Sequence, residues 1–292
     1  MKILYTSDIH TNIDLLPYLV STVMTASPDV LIIGGDIVPH HLPDESTLGI
    51  VKAQQLYLAT TFIPQLETMK RQQDIRIYLD LGNDDLLSGR KILENHDGRL
   101  FHLLHMRRHP LTPAIDIIGY MAVPPTPFQR KDWEKPDSTA MPYAKDNHII
   151  TDGYRTGRGR LEKTRLDLSS SDTIESDLMC LEAYIEKSFI LVTHSPPHNT
   201  ALDITNSGIH VGSISLKKFI EKWSNKGLLL ASLHGHIHES PLRSGTILTR
   251  ISHAICINPG QDSGKQAKLR YVLLDLDDNP VSPKMRIVSE PK

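Results

Sequence analysis

Short apolar runs and helix-spaced apolar positions alternate along the first third of the chain. Lys2–Thr6 reads as a strand, and Leu16, Leu19, Val20 and Val23 then recur at the i, i+3, i+4, i+7 spacing of one helix face. Val30–Ile33 is a second strand-like run, Ala59, Phe62, Ile63 and Leu66 repeat the helical spacing, and residues 75–81 form a third run. A βαβαβ order of this kind predicts a largely parallel sheet covered by crossover helices. Further on, the pattern predicts a helix over 172–185, with Asp172 and Glu175 suited to its N-terminus, and a strand over 189–193. Leu216, Phe219, Ile220 and Trp223 mark another amphipathic helix, followed by strands over 228–233, 246–249, Ala254–Ile257 and 269–275. The order is α/β first and strand-rich later, read as one continuous domain over residues 1–292. Between the two parts, residues 124–165 hold five prolines, nine Lys/Arg and six Asp/Glu with little periodicity, which predicts a lid-like excursion over one face.

Composition narrows the chemistry. A hydrophobic content of 39% and a charged content of 23% are those of an ordinary soluble globular protein. The formal net charge of −2 leaves no global electrostatic footprint for nucleic acid or an anionic membrane. Cys180 and Cys256 stand far apart, so they predict neither a disulfide framework nor a metal knuckle. The opening MKILYTSDIH turns polar too soon for a secretory leader, and no uncharged apolar run approaches the ~18 residues of a membrane span. A reducing cytoplasm is therefore the expected location. Histidine is the outlier: there are 15, against five Phe and two Trp, so where they fall matters.

Polar clusters follow the predicted strands directly. They are Asp8-Ile9-His10, Gly34-Gly35-Asp36, Gly82-Asn83-Asp84-Asp85, His194 and Gly235-His236-Ile237-His238. In open α/β sheets the ligand crevice lies beyond the carboxyl ends of the strands, so these positions are expected on one rim. Taken singly, each has a structural reading: an Asp cap, a Gly-Asn turn, a loop histidine. Taken together, metal-ligand side chains at every one of these strand ends do not resemble a capped surface. Imidazole with carboxylate and no thiolate suits Mn, Fe, Zn, Ni or Co, whereas Mg prefers an all-oxygen shell.

The ordered blocks Asp-x-His, Gly-Asp, Gly-Asn-x-Asp, His and Gly-His-x-His resemble the calcineurin-like metallophosphoesterase family, from Asp8 to about Gly260. Asn12 extends the first block to Asp-x-His-x-Asn, a form common in its bacterial and archaeal phosphodiesterase-like branch. The resemblance implies an α/β fold, a four-layer αββα sandwich of two mixed β-sheets flanked by helices, with two divalent metal ions at the rim. It implies that Asp8, His10 and His238 hold one metal, that Asn83, His194 and His236 hold the other, and that Asp36 bridges them. The implied activity is hydrolysis of phosphodiesters or activated phosphomonoesters of small molecules. The reaction would be direct attack of a metal-bound hydroxide, with the two cations about 3.5–4 Å apart.

One position departs from the family. Many members carry His after Gly-Asn; here it is Asp84, followed by the family's usual carboxylate at Asp85, and both, with His198, are candidate catalytic residues. An Asp beside two dications is ionised, donates no proton and repels a phosphate dianion. Diesters and esters with good leaving groups are therefore expected, with His198, His40 or His41 as replacement proton donors. Asn12 is a candidate phosphate donor or a cap for the helix that follows, and Asn83 is a candidate substrate contact as well as a ligand. Arg155, Arg158 and Arg160, set among glycines in the excursion, are candidate phosphate contacts. Two other functions compete: a metal-binding scaffold without turnover, which Asp84 favours, and a nuclease, which the near-neutral charge and lack of aromatic-basic stripes disfavour.

Overall fold

The parallel strands that end in the polar clusters belong to two different sheets. The computed structural model describes residues 1–43, 45–139, 149–264, 267–277, 279 and 284–289. In chain order the strands are β1 (Lys2–Thr6), β2 (Val30–Ile33), β3 (Arg76–Leu79), β4 (His102–Leu103), β5 (Arg107–Pro110), β6 (Ile115–Tyr120) and β7 (Asp152–Thr156). They continue as β8 (Leu161–Arg165), β9 (Ser188–Thr193), β10 (Leu229–Leu233), β11 (Leu248–Ile251), β12 (Ala254–Ile257), β13 (Val272–Asp277) and β14 (Lys284–Ser289). One six-stranded sheet has the order β14-β13-β1-β2-β3-β4 and the other β11-β12-β10-β9-β6-β5. In the first, β1 to β4 are parallel and β13 and β14 complete it antiparallel. In the second, β12, β10, β9 and β6 are parallel, with antiparallel edges β11 and β5.

Alternation along the strands assigns each side chain to a layer, because successive Cβ atoms point to opposite faces. On β9, Ile190 and Val192 join the large core shared with the first sheet, while Phe189 and Leu191 face helices Ile174–Glu182 and Ile214–Asn225. Ile255 and Ile257 against Ala254 and Cys256 on β12 divide the same way. On the other side, helix Leu15–Ala26 and the helical stretch 50–72 bury Leu16, Leu19, Phe62 and Leu66 against the first sheet. The result is two mixed sheets flanked by helices. No helix among the described residues is long and apolar enough to cross a membrane.

Several local details refine the sequence pattern. The helix over 50–72 contains a π turn at Leu58–Phe62, where Ile63 N–H donates to Leu58 O. Pro64 cannot donate to the carbonyl one turn back and its ring crowds that turn, so the widened turn accommodates it. The helix predicted from residue 172 begins at Ile174, capped by Thr173 rather than Asp172: Thr173 and Ser176 exchange hydrogen bonds of 3.1 and 3.0 Å in a capping box. Within the excursion, β7 and β8 pair as an antiparallel hairpin, which the mixed charge of YRTGRGRLEKTR concealed. Ahead of it, Lys131 and Glu134 form a fully buried pair at 2.9 Å that also binds Thr126.

Candidate metal centre

Each polar cluster occupies the loop at the carboxyl end of a parallel strand, and the two sets of loops face one another. Asp8 and His10 follow β1, Asp36 follows β2, Asn83 follows β3, His194 follows β9, and His236 and His238 follow β10. Asp8, Asp36 and His236 have positive φ values of 59°, 52° and 68°. The left-handed conformation is rare for side chains larger than glycine and collects at functional sites. Here it turns the chain sharply back as it leaves the sheet. Bonds between the loops lock the sheets together at this end. His236 N–H donates to the Asp8 carboxylate at 2.9 Å, Tyr5 O–H donates to His234 O at 2.7 Å, and His194 Nδ1–H donates to Gly34 O at 2.9 Å.

Asp8, His10, Asp36 and His238 each offer one atom, all within 4.8 Å of one another. The His10 and His238 Nε2 atoms face each other at 3.0 Å, and Asp8 Oδ1 lies 3.4 Å from His238 Nε2. Beside this group, His194 Nε2 stands 2.9 Å from Asn83 Oδ1 and 3.2 Å from Asp36 Oδ2, with the His236 ring 5.3 Å from that of His194. Asp36 Oδ2 is also 3.7 Å from His10 Nδ1, so one carboxylate touches both groups. His10 Nδ1 is buried and has no hydrogen-bond partner among the described residues. The donor set, carboxylate with imidazole and one amide oxygen, fits a pair of first-row divalent cations or Zn.

The electrostatics agree with a cationic occupant. Burial disfavours the charged form of His194, yet Asp36 and Asp8 outweigh it and bring its pKa up to about 10. Burial and neighbouring imidazoles push His10 well down and His236 down to about 3, leaving both neutral with lone pairs to share. Burial would raise Asp8, but the hydrogen bond and charge of His238 bring it down to about 2. Burial raises Asp36, and on His238 burial is outweighed by the Asp8 carboxylate, which raises it; ligation would displace a proton from His194, whereas His10 and His236 are already neutral.

Close packing explains two of the glycines in the motifs. A Cβ on Gly82 would overlap the Asp36 carboxylate and amide, and one on Gly235 would overlap Ser7 Oγ and the Asp8 carboxylate. The Asp85 carboxylate accepts from Gly82 N–H at 2.9 Å, Val38 N–H at 2.9 Å and Ile37 N–H at 3.0 Å, tying the Asp36 loop to the Asn83 loop. Burial and the Asp36 charge raise Asp85, and these three donors oppose them. Asn258 braces the loop of β10 by donating to Gly235 O and Ile237 O.

Asp84 points into a cavity of about 880 Å³ above the cluster and accepts from His40 Nε2 at 2.7 Å. Burial works against its charge, but the His40 hydrogen bond and the Arg130 guanidinium hold its pKa below the usual carboxylate range. His198 lines the same cavity. The other residues proposed from sequence are placed elsewhere. Asn12 donates to Gly264 O and accepts from Asp14 N–H, so its amide serves the start of the first long helix. Arg155 lines a separate cavity of about 660 Å³ beside Trp133, and Arg158 is exposed at the turn between β7 and β8. Asp85 is buried beneath the loops, where it braces them. The arginine that does reach the site is Arg130, which donates to Asp84 O and lies 3.7 Å from its carboxylate. Arg130 carries no motif; its place depends on how the excursion folds back.

A family model described as calcineurin-like phosphoesterase matches residues 1–240. The uncharacterized protein MJ1162 of Methanocaldococcus jannaschii is 36% identical over 94 residues, 32% of this chain and 40% of that protein's length. The chain therefore spans well under half of that relative. Among solved structures, TT1561 of Thermus thermophilus superposes with a TM-score of 0.57 at 14% identity, covering 99% of both chains. A dimetal phosphatase from Danio rerio gives 0.53 at 11% identity, again covering 99% of both. Likeness at such identities concerns the fold alone.

Proposed function

Because the chain belongs to the calcineurin-like phosphoesterase family, we propose that it is a dinuclear-metal hydrolase of phosphodiesters or activated phosphomonoesters of small molecules. The observation that carries this reading is Asp36 Oδ2, placed between the Asp8–His10–His238 group and the Asn83–His194–His236 group. Asp8, His10 and His238 would hold one cation and Asn83, His194 and His236 the other, with Asp36 shared. The bound pair would neutralise the phosphate and activate water for in-line attack. His194 is held in one tautomer by its bond to Gly34 O, which directs Nε2 at the shared carboxylate. Asp84 fixes His40 at the cavity wall, where an imidazole can hydrogen-bond the leaving oxygen in place of the histidine that the family often carries at position 84. The negative charge of Asp84 beside the cavity disfavours a phosphate dianion, which supports diesters over alkyl monoesters.

The test is metal-dependent hydrolysis of bis(4-nitrophenyl) phosphate by protein loaded with Mn, Fe, Zn, Ni or Co. Asp36→Asn is expected to lower turnover by at least roughly 100-fold and to weaken both metal positions, since a ligand shared by both is removed. Absence of turnover at full occupancy would instead identify a binding scaffold, the reading that Asp84 favours.

A further inference from the structure

A second histidine array, outside the motif blocks, stands at the wall of the same cavity. Asp203 is fully buried, and its carboxylate accepts from Asn199 N–H at 3.0 Å, Thr200 N–H at 2.9 Å and Gly212 N–H at 3.0 Å. Those bonds already secure the loop. The same carboxylate also accepts from His210 Nδ1–H at 2.7 Å, and His198 turns its Nδ1 toward it at 3.6 Å. The two rings lie 6.1 Å apart, each about one-third exposed, and both line the cavity that holds Asp36, Asn83, His236 and His238. With Nδ1 turned to a buried carboxylate, the edge of each ring left for the cavity is the one bearing Nε2. The hydrogen bond to the carboxylate fixes the orientation and tautomer of His210, while His198 at 3.6 Å stands beside the same charge without a hydrogen bond.

We propose that His198 and His210 form a subsite for hydroxyl groups on the alcohol portion of the substrate, so that the preferred substrates are phosphodiesters of polyols. This rests on the hydrolase reading above. A hydroxyl both donates and accepts, and so satisfies Nε2 in either protonation state, whereas a carboxylate or second phosphate matches only the protonated ring. The cavity, about 880 Å³, falls in the range that encloses drug-sized ligands and has room for more than a phosphate. A site built to bond a hydroxyl discriminates against the analogue that lacks it, since its own polar atoms are then left unpaired.

Two substrates of one carbon skeleton separate the outcomes: 2,3-dihydroxypropyl 4-nitrophenyl phosphate and propyl 4-nitrophenyl phosphate, with metal-loaded protein. The wild-type kcat/KM is expected to favour the dihydroxypropyl ester by roughly tenfold or more. His210→Phe should raise KM for that ester by about the same factor, with kcat and the propyl ester unaffected. Equal kcat/KM for the two esters in the wild type would overturn the inference without reference to any variant, as would a His210→Phe effect equal on both. Turnover of neither ester at full metal occupancy would sink the hydrolase reading and this inference with it, whereas turnover of both without discrimination sinks the inference alone.

Discussion

Replacing Asp85 by Asn changes one buried oxygen into an amino group and tests whether this residue braces the metal loops or takes part in catalysis. Oδ1 serves Val38 N–H and Oδ2 serves Gly82 N–H, while Ile37 N–H lies within reach of both. Whichever way the amide turns, its NH2 meets a backbone N–H, so two buried donors, that N–H and the NH2 itself, stand without an acceptor while Ile37 N–H keeps the remaining oxygen. At about 1–3 kcal/mol per unsatisfied buried group, partly relieved by local movement, the cost is about 2–4 kcal/mol. For a chain of this length that corresponds to a fall of roughly 4–8 °C in Tm, at about 2 °C per kcal/mol. The assay is thermal denaturation in chelator, with metal affinity measured separately by calorimetry. Because the strut joins the Asp36 and Asn83 loops, affinity should fall along with Tm. A variant with wild-type Tm in chelator and wild-type metal affinity, but lost turnover, would refute the bracing argument and return Asp85 to a catalytic role.

Three further outcomes follow from the packing and charge described above. Gly82→Ala places a methyl group against the Asp36 carboxylate and amide, so calorimetry should show weakened binding of both cations even where the protein stays folded. Lys131→Met leaves Glu134 buried without its partner and should cost about 3–5 kcal/mol in urea unfolding, with much of the loss recovered in the double variant Lys131→Met, Glu134→Leu. His105 is half-buried among its neighbours, accepts Met121 N–H on Nδ1 at 3.0 Å, and has its pKa pushed down by desolvation to about 3. Its folded pKa lies below the unfolded value, so its contribution is present above about pH 6.5 and is lost as pH falls toward 3, at up to about 1.4 kcal/mol per unit. His105→Gln should therefore flatten the decline in stability between about pH 6.5 and 5 relative to wild type; an unchanged slope in urea unfolding would count against a neutral imidazole at this position.

The strands that carry the site were legible in advance because their signals are local. β1, β2 and β9 are short apolar runs bounded by polar residues, and each candidate ligand block abuts such a run, so spacing alone placed those residues at strand ends. What escaped the pattern was what depends on distant partners. The charged hairpin of β7 and β8 buries little of its own surface and shows no period-2 signal. The pairing of Arg130 with Asp84, 46 residues apart, and of His210 with Asp203 has no signature in spacing.

By itself, then, the chain determined many of the element types, though not the strands over 102–120, and the candidate ligands, since hydrophobic periodicity and side-chain chemistry belong to each residue and its near neighbours. Tertiary structure alone decided that the rim lies between two sheets, that Asp36 faces both ligand groups while Asp85 lies beneath them, and that Arg130 rather than Arg155 reaches the site. Those outcomes depend on which loops pack together and which polar atoms that packing leaves to be satisfied. They arise only when remote segments exclude water from one another.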